Sequence, residues 1–176
     1  MIIMILNLLG AGGSGKTTLK FALSKRDGFH FFVPVTTRAK RPGEIEGVDY
    51  HFTTTEEFEQ DDSIILRRDT GQGRLYGNRK GSIVNHKSIT VTTLDINGIK
   101  SLIAMEIPLK VVYLNIPEDE RRRRMLRRGD TIQRVDERLM IDRVYFHNLE
   151  IESPFLEVVN GTVGEIVQKI ERLLDM

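Results

Sequence analysis

Residues 10–17 read GAGGSGKT, the spacing G-x-x-x-x-G-K-T, after an apolar run and at the start of a segment of helical period. In that setting a glycine-rich turn leaves a string of backbone N–H groups at a helix N-terminus, where a phosphate chain can be wrapped without side-chain obstruction. Gly10, Ala11, Gly12, Gly13, Ser14, Gly15, Lys16, Thr17 and Thr18 are the candidate ATP-binding residues. Lys16 would reach the β- and γ-phosphates, and the Thr17 hydroxyl would ligate Mg²⁺. The bland alternative is a strand-to-helix turn with a solvated Lys. A second acid is expected at the end of a strand to orient the metal, and Asp95, closing SITVTTLD, is the candidate. A turn or cap Asp is its competing reading.

A second cluster is PEDERRRRMLRRGDTIQRVDERL, residues 117–139. On a helix Arg121, Arg124 and Arg128 project to one side. Planar, permanently charged guanidiniums on a mobile segment can stabilise the charge that phosphoryl transfer spreads over oxygen, which is the work of a lid. Most of these arginines fit a solvated basic face, whereas Arg128, before Gly129, and Arg138 are the lid candidates with a catalytic role beside Lys16. Interleaved acids (Glu118, Asp119, Glu120, Asp130, Asp136, Glu137) argue against a nucleic-acid stripe.

Strands that could position these groups are expected at 2–9, 30–35, 88–94, 109–115 and 155–159. Helices are expected at 16–25, 96–105, 117–127, 133–151 and 163–174. The alternation marks an α/β protein with a largely parallel sheet. Between 36 and 87 the pattern breaks into short pieces and one helix, opened by a Thr53–Glu56 capping box. That region is an insertion in a single compact unit of 176 residues.

With 40% hydrophobic and 29% charged residues the composition is that of an ordinary soluble protein, and a net charge of +1 gives no general attraction to nucleic acid or membrane. Cysteine is absent, which removes thiolate chemistry and fits a reducing compartment. The opening MIIMILNLLG lacks a basic n-region and reads as a buried strand, so a cytoplasmic location is expected.

The loop GAGGSGKTTL, the segment TTRAKRPGEIEGVDYHF, the later YGN from Tyr76, LDINGIKSL and RRGDTIQRVDERL together resemble the guanylate kinases, in that family's order and close to its spacing. The resemblance spans essentially the whole chain, and the second motif is its specific part. It implies a P-loop NTPase fold, a three-layer α/β/α arrangement with a parallel central sheet, an inserted monophosphate-binding subdomain and a lid. The expected division is 1–35 and 83–176 as core, 118–138 as lid and 36–82 as insertion. Carried over residue by residue, Arg38, Arg41, Tyr50 and Tyr76 match the grip on the acceptor's phosphate, with Arg38 also catalytic. Guanidinium forks and a phenol suit that task chemically, although a surface pair neutralised by Glu44 and Glu46 is the alternative for the arginines. Asn160 matches a contact to the adenine side of ATP, or is a plain turn residue.

The base pocket departs from the family pattern. Pro34 replaces a serine and offers neither hydroxyl nor N–H. Counting back without gaps from YGN puts Arg67 where a guanine-reading carboxylate belongs, with Asp69 a substitute only if the hairpin shifts. Asn78 and Asn97 fill two further base-facing positions, the second in place of a carboxylate. Guanine shows donors at N1 and N2, so an arginine there sets donor against donor. The leading expectation is an ATP- and Mg²⁺-dependent kinase for a nucleoside or deoxynucleoside monophosphate, GMP or dGMP by resemblance, in a monomer or homodimer. A kinase for another or modified base, a noncatalytic guanylate-kinase-like binding module and a sugar kinase of the same fold are the alternatives.

Overall fold

In chain order the elements are β1 (Ile5–Gly10), α1 (Lys16–Leu23), β2 (Phe29–Phe31), β3 (Val35–Thr36), β4 (His51–Phe52), α2 (Thr55–Gln60), β5 (Ile64–Asp69), β6 (Leu75–Arg79) and α3 (Lys80–Ile83). They continue with β7 (Ile89–Thr92), α4 (Ile96–Ala104), β8 (Leu109–Leu114), α5 (Glu118–Arg127), α6 (Ile132–Phe146), β9 (Phe155–Val158) and α7 (Val163–Leu173). The structure is a computed structural model that describes residues 4–41, 43–69, 73–83, 88–147 and 155–175.

Every residue of β1 is buried, which fits its place at the centre of a parallel sheet of order β2-β7-β1-β8-β9. Its side chains alternate between two cores. Leu6 and Leu8 pack with Leu19 and Leu23 of α1 and with Ile166, Val167 and Ile170 of α7. Ile5 and Leu9 face Ile99 and Leu102 of α4 on the other side. The result is three layers, helix on sheet on helix, with the phosphate-type loop leaving the C-terminal end of the central strand.

A second sheet, of order β4-β3-β6-β5, is built from residues 35–79 over a small core of Val35, Phe58 and Ile64. Gly77 of β6 makes that core possible, because a Cβ there would lie 2.3 Å from Ile64 Cγ2 and 3.0 Å from Phe58 Cζ.

Several expected elements take a different form. The strand expected at 30–35 is two strands in different sheets, with Pro34 between them. Proline has no N–H to continue a ladder, and its carbonyl instead accepts from His51 N at 2.8 Å. The capping box of α2 uses Thr54 and Glu57, one residue later than expected, while the Thr53 hydroxyl donates to Glu57 at 2.6 Å. The helix expected at 133–151 ends at Phe146, because His147 turns to extended backbone, and 148–151 lie outside the described residues. Residues 2 and 3 of the first expected strand also lie outside them.

Candidate active site

The loop after β1 turns at Gly13 (φ 77°) and Gly15 (φ 99°), left-handed conformations that favour glycine and that bend the chain into the N-terminus of α1. It is tightly enclosed. A Cβ at Gly13 would lie 2.8 Å from the Arg121 carbonyl oxygen, and one at Gly10 would lie 2.7 Å from Ser14 Oγ. Lys16 curls over the loop, its ammonium donating to the carbonyls of Gly10 and Ala11. Burial, and next the Arg138 guanidinium, hold its pKa down at about 8. The Ser14 hydroxyl is buried with no hydrogen-bond partner among the described residues. An orphaned hydroxyl, a confined lysine and a glycine turn at a helix N-terminus fit a polyphosphate. Thr17, in the first turn of α1, is exposed, as is Thr18.

Four residues of α5 and α6 close on this loop. Asp142, 2% exposed, accepts from Gly12 N at 2.8 Å and meets Arg138 Nε at 3.1 Å and Arg121 Nη1 at 3.3 Å. Arg121 also donates to the Gly12 carbonyl at 3.3 Å and to Ile116 O at 3.1 Å. Arg124 reaches Ser14 O at 3.3 Å while pairing with Glu120 at 2.8 Å. Thus Arg138 lies at the loop, as do Arg121 and Arg124, whereas Arg128 caps α5 and pairs with Asp130. Asp142 is absent from the sequence-derived set. Its signal is on α6: Val135, Leu139 and Asp142 share a face at spacings of four and three, and that face is buried.

Beside the second sheet, Arg38 and Tyr50 come together with Tyr76 of β6. Arg38 is 6% exposed and lies over the Tyr50 ring at 5.2 Å, and the Tyr50 and Tyr76 rings meet edge-on at 6.0 Å. Arg38 donates to Glu44 Oε1 and to Ala39 O, both at 2.7 Å. The guanidinium holds Glu44 below the usual carboxylate range, and the pair raises Arg38 in turn. Burial pushes the Tyr50 phenol up. Arg41 is exposed and is joined to Glu44 through its backbone N–H at 2.7 Å.

The base-facing residues need correction. Arg67 is engaged with backbone carbonyls. Its guanidinium donates to Ile64 O at 2.9 Å, Glu59 O at 3.3 Å and Asp61 O at 2.5 Å, and it lies over Phe58, so it caps the C-terminus of α2. A β-bulge between Ile65 and Arg68, with Leu66 at φ 52°, adds one residue to β5 and turns Arg68 inward instead. Arg68 pairs with Asp95 at 3.2 Å and covers the Tyr76 ring at 5.0 Å. Asp95 caps α4 by accepting from Gly98 N at 2.9 Å, so both its oxygens are engaged. Buried Asn7 fixes this corner by bonding Leu94 N and O and the Thr92 hydroxyl. Asn78 is 3% exposed and lines the same cleft as Arg68. Asn97 is exposed on the first turn of α4, where helix geometry carries it out of that lining. Asn160 is exposed in the turn after β9.

The guanylate kinase family model matches residues 3–176. A guanylate kinase of Lactobacillus delbrueckii subsp. bulgaricus is 32% identical over 98% of this chain and 88% of its own length. One from Clostridium perfringens is 29% identical over 97% of this chain and 82% of its own length. In structure the chain is similar to a guanylate kinase from Anaplasma phagocytophilum, with a TM-score of 0.67 at 23% identity, covering 99% of this chain and 84% of the other.

Proposed function

We propose a residue-level mechanism for this chain, which belongs to the guanylate kinase family and is an ATP-dependent nucleoside monophosphate kinase. The acceptor is GMP, with dGMP alongside it. The observation that carries the mechanism is the buried loop of Lys16 and orphaned Ser14, closed over by Arg138, Arg121 and Arg124.

ATP lies with its β- and γ-phosphates against the amides of residues 10–18 and the Lys16 ammonium, with Asn160 on its adenine side. The Thr17 hydroxyl would hold a Mg²⁺ ion, which would supply charge neutralisation at the phosphates. Asp95, already engaged by Gly98 and Arg68, would help to orient that metal. Arg38, Arg41, Tyr50 and Tyr76 hold the acceptor phosphate, and an incoming phosphate competes with Glu44 for Arg38. Arg138, held by Asp142, stabilises the transferring group, and Arg128 closes with the lid. Residues 1–35 and 83–176 serve as core, 118–138 as lid and 36–82 as the monophosphate-binding insertion. No protein nucleophile takes part, since positioning and charge stabilisation supply the rate. Lack of cysteine supports a cytoplasmic site of action, and among the described residues no helix is long and apolar enough to cross a membrane. The working unit is a monomer or homodimer.

A coupled assay on two variants tests this division of labour. Lys16→Ala abolishes phosphoryl transfer. Arg38→Met raises KM for GMP by ~100-fold or more and leaves KM for ATP within a few-fold. The reverse pattern would refute the assignment of the two phosphates.

A further inference from the structure

The cleft between the two sheets is open to solvent and has walls from Pro34, Leu66, Arg68, Tyr76, Asn78 and Leu94. It adjoins the phosphate grip. Arg38 lies over Tyr50, Tyr50 meets Tyr76, and Tyr76 lies under Arg68, with separations of 5.2, 6.0 and 5.0 Å. A nucleotide whose phosphate is held at Arg38 therefore has its base directed toward Arg68.

Arg68 is the charged group in the cleft and can only donate, whereas Tyr76, Asn78 and Thr93 can donate or accept. One Arg68 nitrogen goes to Asp95 at 3.2 Å, and its other N–H groups have no hydrogen-bond partner among the described residues. Asp95 has no spare oxygen without a bond, because Gly98 takes the first and Arg68 the second. The Asn78 amide is 3% exposed, lines the cleft and has no side-chain hydrogen bond among the described residues, so it is available to a ligand. A carboxylate free to accept from the N1 and N2 donors of guanine is not among the lining residues. A guanidinium fork matches a different edge of the same base, the adjacent O6 and N7 acceptors. Adenine offers a donor and an acceptor there and fits the fork at one point only.

We propose that Arg68, braced by Asp95, reads the acceptor base at its O6 and N7 atoms, so that the enzyme selects 6-oxopurine nucleotides without reading the 2-amino group. The inference rests on the GMP kinase reading above and adds to it a specificity residue and a mode of recognition. Leu66 in its left-handed conformation is part of the device, since the bulge it creates sets Arg68 in the cleft.

The test compares GMP, IMP, 7-deaza-GMP, AMP and CMP, both as substrates with ATP and as ligands by calorimetry. The proposal requires IMP, which lacks the 2-amino group, to bind and turn over within ~10-fold of GMP. 7-Deaza-GMP, which lacks the N7 acceptor, and AMP should each be weaker by ~10- to 100-fold. Arg68→Met should raise KM for GMP by a similar factor while KM for ATP holds within a few-fold, with circular dichroism checking that the variant folds. Arg68→Lys, which keeps the charge and loses the fork, should restore little of it. Strong discrimination against IMP, indifference to the N7 substitution, or tightest binding of CMP would overturn the proposal. Turnover of none of the five, with the binding order intact, would instead count against the kinase reading and leave O6/N7 recognition supported.

Discussion

At the residue scale, the proposed mechanism rests the chemistry of the loop on Lys16 and Asp142. The Lys16 ammonium has its pKa lowered to about 8 by burial and by Arg138, so in the free enzyme its charge is lost as pH rises through that value. Phosphate binding needs the charged form. The kcat/KM for ATP should therefore be level below about pH 8 and fall about tenfold per unit above it, whereas kcat, measured with bound phosphates that favour the charge, should hold to higher pH. A kcat/KM that stays level through pH 9 would contradict this. Asp142 fixes Arg138 and the Gly12 amide at once. Asp142→Asn keeps the shape and removes the charge, and kcat should fall by ~100-fold as Arg138 loses its anchor. Circular dichroism would check that the variant folds, and an unchanged kcat would remove Asp142 from the account. Lys16 was legible because its role is written in local spacing. Asp142 was not, since an Asp four residues after an Arg reads equally well as an exposed helix pair, and burial alone distinguishes the two.

At the scale of elements, the α/β alternation and the strand–loop–helix around residues 10–17 followed from sequence because parallel core strands are continuous apolar runs. The insertion was harder to read. Two of its strands, β3 and β4, have two residues each, so periodicity carried little signal, and Pro34 concealed a change of sheet within one apparent strand. The assignment of Arg67 failed for a physical reason. A left-handed Leu66 has no local signature, and the bulge it forms moves every following side chain of β5 to the opposite face. The sheet's dependence on Gly77 gives a direct check. Gly77→Ala sets a methyl against the stiff, branched Ile64 side chain and should destabilise the protein by about 1–3 kcal/mol in chemical denaturation. KM for GMP should rise more than KM for ATP. A variant of unchanged stability would mean that Ile64 and Phe58 pack less tightly than described.

At the scale of the whole molecule, the proposed function divides the labour between two sheets. On the proposed function, the parallel sheet carries the donor loop at the end of its central strand, and the Arg38–Tyr50–Tyr76 cluster beside the second sheet grips the acceptor. Arg68, on the second sheet, pairs with Asp95 at the N-terminus of α4, so one ion pair ties the acceptor half to the core beside the base cleft. The most direct test of this arrangement follows the fate of the γ-phosphate when the purified protein is given γ-labelled ATP, Mg²⁺ and GMP. The label should appear in the β-phosphate of GDP, one for each ATP consumed, and transfer should stop in Lys16→Ala. Label released as inorganic phosphate without GDP, or no consumption of ATP at all, would contradict the account.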